Sequence, residues 1–267
     1  MAAVRKSYGT HFAAASVAAN YVHRPPYSPE VYATLEGLMP HATRTLLDAG
    51  CGPGKIARGL VTVCDRIDAV DPSGEMIAIG RGEPGGDDPK IHWQQATIEE
   101  AVLTPPYGLV TAGASFHWMD APRVLSLFAQ VLAPGGVFAA IEGDHPADPP
   151  WRPAENAIFS AFIERLQGQK PNFAATSREQ LDRAIVDHPQ FERLGVRITT
   201  PFAVRQTIAD YLACQHSRAT WSVDFMGPEM TREFDARLSD LLNGYARDGV
   251  LEYVVQTRIE WGRPRAA

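Results

Sequence analysis

The stretch LLDAGCGPGK, residues 46–55, sets Gly50, Gly52 and Gly54 at alternate positions between an apolar run and a helix-like pattern. An apolar run that stops at glycines and resumes at helical spacing reads as strand, tight turn, helix. So bare a backbone is useful where the chain must turn sharply and something must approach it without meeting a Cβ. Both needs coincide at the carboxyl end of the first strand of a doubly wound sheet. There, backbone N–H groups and a helix N-terminus converge on a ligand.

The chain continues in the same alternation. Ile56, Leu60, Val63 and Cys64 recur at helical spacing, RIDAVD makes a second strand and GEMIAIGR a second helix. KIHWQQA and YGLVTAGA are the third and fourth strands; Val124, Leu125, Phe128, Val131 and Leu132 mark a long helix, and the turn APGG precedes a fifth strand, VFAAIEG. A strand-helix alternation of this kind predicts an α/β protein with a parallel sheet covered on both faces. After Asp144 the pattern changes. The proline-rich HPADPPWRP leaves the sheet, helices are predicted over 154–167 and 177–187, and FERLGVRITTPFAV reads as one strand. Helices over 206–219 and 229–247 and a last strand, LEYVVQTRIEW, complete the chain.

Composition removes several functions. With 267 residues and 45% hydrophobic content the chain can bury a substantial core. Lys and Arg number 25 against 31 Asp and Glu, with no basic block beyond Arg263 and Arg265, so neither nucleic acid nor an anionic membrane is an expected partner. Cys51, Cys64 and Cys214 are an odd count without C-x-x-C spacing, which points to reduced thiols and a cytoplasmic location. Residues 12–22, FAAASVAANYV, imitate a secretory signal, but the apolar run is short and broken by Ser16 and Asn20. An amphipathic helix with Phe12, Val17 and Tyr21 near one face is the better reading. Nothing approaches the ~18 apolar residues of a membrane span. The histidines show no metal-ligand spacing, so no metal is expected. A homo-oligomer is the expected assembly, since oligomers are common.

The glycine loop itself excludes one ligand class. A P-loop would need a glycine where Ala49 stands and Ser or Thr where Ile56 stands. A dinucleotide fingerprint would place its third glycine at Lys55, which weakens that reading. What is present is D-x-G-x-G-x-G, formed by Asp48, Gly50, Gly52 and Gly54, with Asp71 closing the second strand in VDPS. This resembles motif I and the following acidic position of class I methyltransferases that use S-adenosylmethionine.

The resemblance implies a Rossmann-like, doubly wound, mostly parallel sheet whose last strand is antiparallel, with helical cap insertions. It also implies an organisation: 1–35 as an N-terminal helical segment closing over the site, 36–144 as the S-adenosylmethionine-binding core, and 145–267 as the substrate cap with the last two strands. Asp71 would accept hydrogen bonds from the ribose hydroxyls, and Pro72, Ser73 and Met76 of PSGEMI resemble the family's D-x-S-x-x-M-I, with Met76 against the adenine. QQATIEEAVL resembles the segment that meets the adenine amine, which implicates Thr97 and Ile98; Thr97 stands where many relatives carry an acidic residue. YVHRPPY, with Tyr21 and Arg24, resembles Y-x-x-R-P-x-Y, whose Arg meets the cofactor carboxylate. GASFHWMD, with Ala114, Ser115, Phe116, His117 and Trp118, is similar to the subgroup that methylates small molecules. Packing competes with function at several of these positions: Met76 and Ile77 are equally good helix core, His117 and Trp118 a strand-end pair, and Cys51 a small packing residue.

Methyl transfer from a sulfonium needs alignment more than acid-base power, and aromatic faces attract both the sulfonium and a substrate ammonium. Tyr8 and Phe116 are the leading aromatic pair for catalysis, and His117 or Tyr8 can drain a proton from an amine. Phe12, Trp118, Tyr211, His216 and Trp221 are the candidates for contact with a small-molecule substrate. The SYGTHF start and ASFHWMD most resemble N-methyltransferases that finish lincosamide antibiotics at the proline-ring nitrogen. Carboxyl methylation, as in enzymes acting on trans-aconitate, and a noncatalytic cofactor-binding protein are the alternatives.

Overall fold

The computed structural model describes residues 15–143, 145–168, 185 and 188–266. Tyr8, Phe12 and most of the helix predicted over 177–187 lie outside them. Two compact units form. One contains residues 26–143, 177–200 and 257–267, the other residues 1–25, 144–176 and 201–256.

In chain order the helices are α1 (Ala15–Asn20), α2 (Pro29–Leu38), α3 (Lys55–Gly59), α4 (Gly74–Gly82), α5 (Ala121–Val131), α6 (Arg152–Gln167), α7 (Ile208–His216) and α8 (Val223–Asn243). The strands are β1 (Thr45–Ala49), β2 (Arg66–Asp71), β3 (Ile91–Gln95), β4 (Tyr107–Gly113), β5 (Leu132–Glu142), β6 (Phe191–Ile198), β7 (Phe202–Thr207), β8 (Val250–Val255) and β9 (Arg258–Pro264).

The first unit is built on a seven-stranded sheet of order β3-β2-β1-β4-β5-β9-β6. β1 to β5 pair in parallel, and β9 runs antiparallel to both β5 and β6. β1, β2 and β4 are buried on both faces, which explains their near-continuous apolar runs. Leu47, Val110 and Phe138 face α5, whose Val124, Leu125, Phe128 and Val131 form one apolar stripe. Leu46, Ile67, Leu109 and Val137 face the opposite side, with Val31 and Leu35 of α2. The first helix after the glycine loop is shorter than the apolar spacing suggested, ending at Gly59 before a turn. The turn APGG does not precede β5 but lies within it. Leu132 already pairs with Tyr107, the register shifts, and pairing resumes at Leu109 and Val137, with Gly135 at φ 81° absorbing the excursion.

Each of the two long strands predicted in the C-terminal third is divided. β6 and β9 belong to the large sheet, whereas β7 and β8 pair with each other as a separate two-stranded sheet in the second unit. The breaks fall at Thr199, Thr200 and Pro201 and at Gln256 and Thr257. Pro201 cannot donate to a ladder, which explains the first break.

In the second unit α6, α7 and α8 bury a cluster of Trp151, Phe159, Phe162, Trp221, Phe234 and Leu238 beside β8 residues Leu251 and Tyr253. α8 starts earlier than predicted, because Ser222 caps it by accepting from the Phe225 N–H, and it bends where Gly227 leaves helical geometry before Pro228. Among the described residues, no helix is long and apolar enough to cross a membrane.

Candidate active site

Every residue of the glycine loop sits at the carboxyl end of β1, and the backbone there departs from ordinary geometry. Gly50, Gly52 and Gly54 have φ of 65°, 53° and 69°, a left-handed conformation that side chains resist. Space is equally restrictive. A Cβ on Gly50 would lie 2.6 Å from the Ser115 Cβ, and one on Gly54 would lie 2.4 Å from the Trp93 ring. Ser115 in turn donates its hydroxyl to the Ala49 carbonyl at 2.8 Å, fastening the end of β4 to the end of β1.

Two carboxylates hold this loop. Asp48 is fully buried beneath it; it accepts from the Thr111 hydroxyl at 2.9 Å and from the Ala57 N–H at 3.2 Å, so it anchors the first turn of α3. Burial pushes its carboxyl up to about 7, against the pull of those two hydrogen bonds. Asp71 ends β2 and accepts from the Gly52 N–H at 2.8 Å and the Ser73 N–H at 2.9 Å. Burial raises this carboxyl too, while the Ser73 and Gly52 N–H groups draw it back. Ser73 then caps α4 by accepting from Met76 N–H at 3.2 Å. One side chain thus ties the glycine loop to the start of the next helix. A carboxylate offers about four acceptor positions, so two remain for a diol.

The other core positions divide. Met76 and Ile98 are buried, Ile98 within the sheet–α5 core, while Thr97 and Pro72 are exposed. Ala114 takes a positive φ of 50° as β4 ends, which turns the chain into the single 3₁₀ turn Phe116–Trp118. The Phe116 ring does not stand at the edge of the site: it is 1% exposed and packs 5.3 Å from Phe138 in the sheet core. Its apolar surface is spent on packing, because the 3₁₀ turn directs it inward. His117, half-buried, lies with its ring 4.8 Å from that of Trp118 and tilted against it, and 3.7 Å from Glu142. Cys51 is pushed well up by burial and by Asp48 and Asp71, so it stays a neutral thiol.

The remaining candidates lie in the second unit. Arg24 is buried, donates through Nε and Nη2 to the Oγ and O of Ser217 at 2.8 and 2.9 Å, and lies over the Tyr21 ring at 4.3 Å. Tyr211 and Trp221 are interior: Tyr211 donates to Glu155 at 2.5 Å, and Trp221 stacks on Phe234. His216 makes contacts of 2.7 Å to the Trp221 carbonyl and 2.8 Å to Asp235. Both partners are acceptors, so they favour the doubly protonated ring. Its burial opposes this, and the hydrogen bonds to Asp235 and Trp221 prevail, leaving the pKa raised. Among the described residues, no group of three ligating side chains could hold a metal.

Three residues of this arrangement were not foreseen from sequence. Thr111 and Trp93 support Asp48 and Gly54. Glu142, ending β5, stands next to the end of β4 because Gly113 pairs with Ile141. The strand-end register was the signal available for it.

Sheet order, glycine loop and Asp71 clasp together define a Rossmann-like fold with a ligand edge at the carboxyl ends of β1 and β2. Residues 46–136 match the family described as a methyltransferase domain. A methyltransferase from Aspergillus terreus is 30% identical over 128 residues, 44% of this chain and 38% of that protein. An uncharacterized methyltransferase from Mycobacterium tuberculosis is 35% identical over 114 residues, 42% of this chain and 44% of that one. The chain therefore spans less than half the length of these relatives. A protein from Anaeromyxobacter dehalogenans, solved as a candidate type II methyltransferase, shares the fold with a TM-score of 0.68 at 21% identity, over 91% of this chain and 99% of that one.

The residues fit S-adenosylmethionine at Asp71, which keeps acceptor capacity for a diol.

Proposed function

We propose that the chain transfers a methyl group from S-adenosylmethionine to the secondary amine of a small natural product, of the kind found at the proline ring of lincosamides. The clasp of Asp71 on Gly52 and Ser73 carries the cofactor half of this reading, because it builds a rigid acceptor for a diol beside a bare backbone. The acceptor half is supported by the resemblance of SYGTHF and ASFHWMD to amine-methylating enzymes. Relatives with C-methyltransferase and O-methyltransferase in their names match about half of this chain, so the acceptor atom is the point to test.

When bound, the cofactor supplies an electrophilic methyl on a sulfonium. The chain's own residues supply position. Asp71 and the loop fix one partner at the ends of β1 and β2, and the end of β4 presents His117 and Trp118 to the other. Fixing two reactants at near-attack distance is worth on the order of 7–11 kcal/mol of the barrier. Tyr8 is proposed as the phenol that orients the amine.

Labelled S-adenosylmethionine incubated with the protein and a panel of N-demethylated lincosamides, other cyclic amines and small polycarboxylic acids tests the reading. Base-stable label on an amine is the expected result. Label released by base as methanol would replace N-methylation by carboxyl methylation, and no transfer to any acceptor would sink the enzymatic reading.

A further inference from the structure

The pair at the ends of β4 and β5 has a property the packing does not explain. Glu142 is about nine-tenths buried, and its Oε1 is a buried polar atom with no hydrogen-bond partner. Most buried polar atoms are hydrogen-bonded, so an unmatched carboxylate oxygen calls for an explanation. The His117 Nδ1 lies 3.7 Å from that same oxygen. This is ion-pair range, about 0.7 Å beyond a normal N–H···O bond, and catalytic hydrogen bonds are often long until substrate binds. The register partner of Glu142 on β9 is Arg258, which donates through Nε and Nη2 to Glu260.

We infer that Glu142 positions His117 as a general base, accepting from Nδ1–H so that Nε2 carries a lone pair toward a protonated amine acceptor. The inference rests on the methyltransferase reading and adds to it the protonation state of the substrate. A secondary amine is an ammonium near neutral pH and has no free lone pair. One of its protons passes to Nε2, and the imidazolium so formed is stabilised by the Glu142 carboxylate. The freed nitrogen pair then bonds to the methyl carbon as the carbon–sulfur bond breaks, its electrons remaining on sulfur. The product leaves as a tertiary ammonium that retains the second proton. A substrate carboxylate would need no such base, so the pair selects a protic acceptor.

The tautomer of His117 tests this in the free protein. Nitrogen-15 NMR of the imidazole above its titration range is expected to show the Nδ1–H form in the wild type. Glu142→Ala should convert it to the Nε2–H form that histidine prefers without a partner, and Glu142→Gln, which keeps an acceptor oxygen, should retain Nδ1–H. In turnover, Glu142→Ala should lower kcat for an amine at least tenfold near neutral pH, with KM for the cofactor unchanged. The deficit should close as the pH rises and the free amine becomes abundant. A wild-type ring already in the Nε2–H form, or a tautomer indifferent to Glu142→Ala, overturns the inference. So does a deficit that is flat with pH. Absence of methyl transfer by the wild type would refute the methyltransferase reading, whereas the tautomer result bears on the pair alone.

Discussion

Asp48 offers the clearest test of how the site is held. Its carboxyl is fully buried, and burial lifts it from 3.8 to about 7 in the folded chain. A folded value above the unfolded one means that the native state binds the proton more tightly. The resulting stability is fully present below pH 4 and is lost as the pH rises through 7. Between pH 5 and pH 8 this single group should remove roughly 3 kcal/mol, at 1.36 kcal/mol per unit over the two units below 7. Asp48→Asn is the matching perturbation. Its amide oxygen can still accept from Ala57 N–H, and its NH₂ can donate to Thr111 Oγ, whose own proton then turns toward the Leu47 carbonyl, 3.5 Å away. The network survives and the titration does not. Urea unfolding of both proteins at the two pH values gives four free energies, and titrating groups that do not interact with Asp48 cancel in the double difference, which keeps the Asp48 titration together with its coulombic coupling to the raised Asp71. A double difference near 3 kcal/mol, with wild type losing more, is expected. A value near zero would mean that Asp48 is ionised throughout and that its two donors outweigh burial.

Three further substitutions probe the same scaffold. Asp71→Ala removes the acceptor of two N–H groups and of the proposed ribose diol, and charge-assisted bonds of about 1.5–3 kcal/mol each predict at least a 100-fold loss of S-adenosylmethionine affinity by calorimetry. Unchanged binding would refute the ribose assignment. Gly50→Ala meets Ser115 at 2.6 Å with φ at 65°, so it should destabilise the chain by about 1–2 kcal/mol or more, read from the urea midpoint, and weaken cofactor binding. Thr199→Val deletes the hydroxyl that accepts from the Thr257 N–H at 3.0 Å and leaves that buried donor unmatched, which should cost about 1–3 kcal/mol of unfolding free energy.

The sheet was legible because β1 to β5 obey one local rule: apolar runs separated by capped helices and glycine turns. RIDAVD proved to be β2 residue for residue, and Ser73 and Asp120 cap α4 and α5 as their side chains suggest. The glycine turn was legible for the same reason, since Gly50, Gly52 and Gly54 are close in sequence and their spacing is their geometry. Glu142 was not, because its relation to His117 depends on the register between β4 and β5, across 25 residues of chain. Phe116 misled in a different way: its position beside the strand tip was right, but the 3₁₀ turn decides which way a ring faces.

The two divided strands show why a period-two pattern cannot locate a sheet boundary. FERLGVRITTPFAV and LEYVVQTRIEW keep strand-like composition across their breaks, yet each contributes to two sheets. What marks the breaks is polar. Thr199 and Thr257 are both buried where β6 ends and β9 begins. They are joined by Thr199 N–H to the Thr257 carbonyl at 2.9 Å, and by Thr257 N–H to the Thr199 hydroxyl. Thr257 Oγ reaches the Gly143 carbonyl at 3.5 Å, directly after β5. Three places where the chain leaves or re-enters the large sheet are therefore bonded to one another. A threonine can end a ladder this way because its hydroxyl replaces the missing strand partner, satisfying a buried N–H that would otherwise demand continued pairing. In a pattern of apolar alternation that substitution is invisible, since threonine is as much at home inside a strand as at its end.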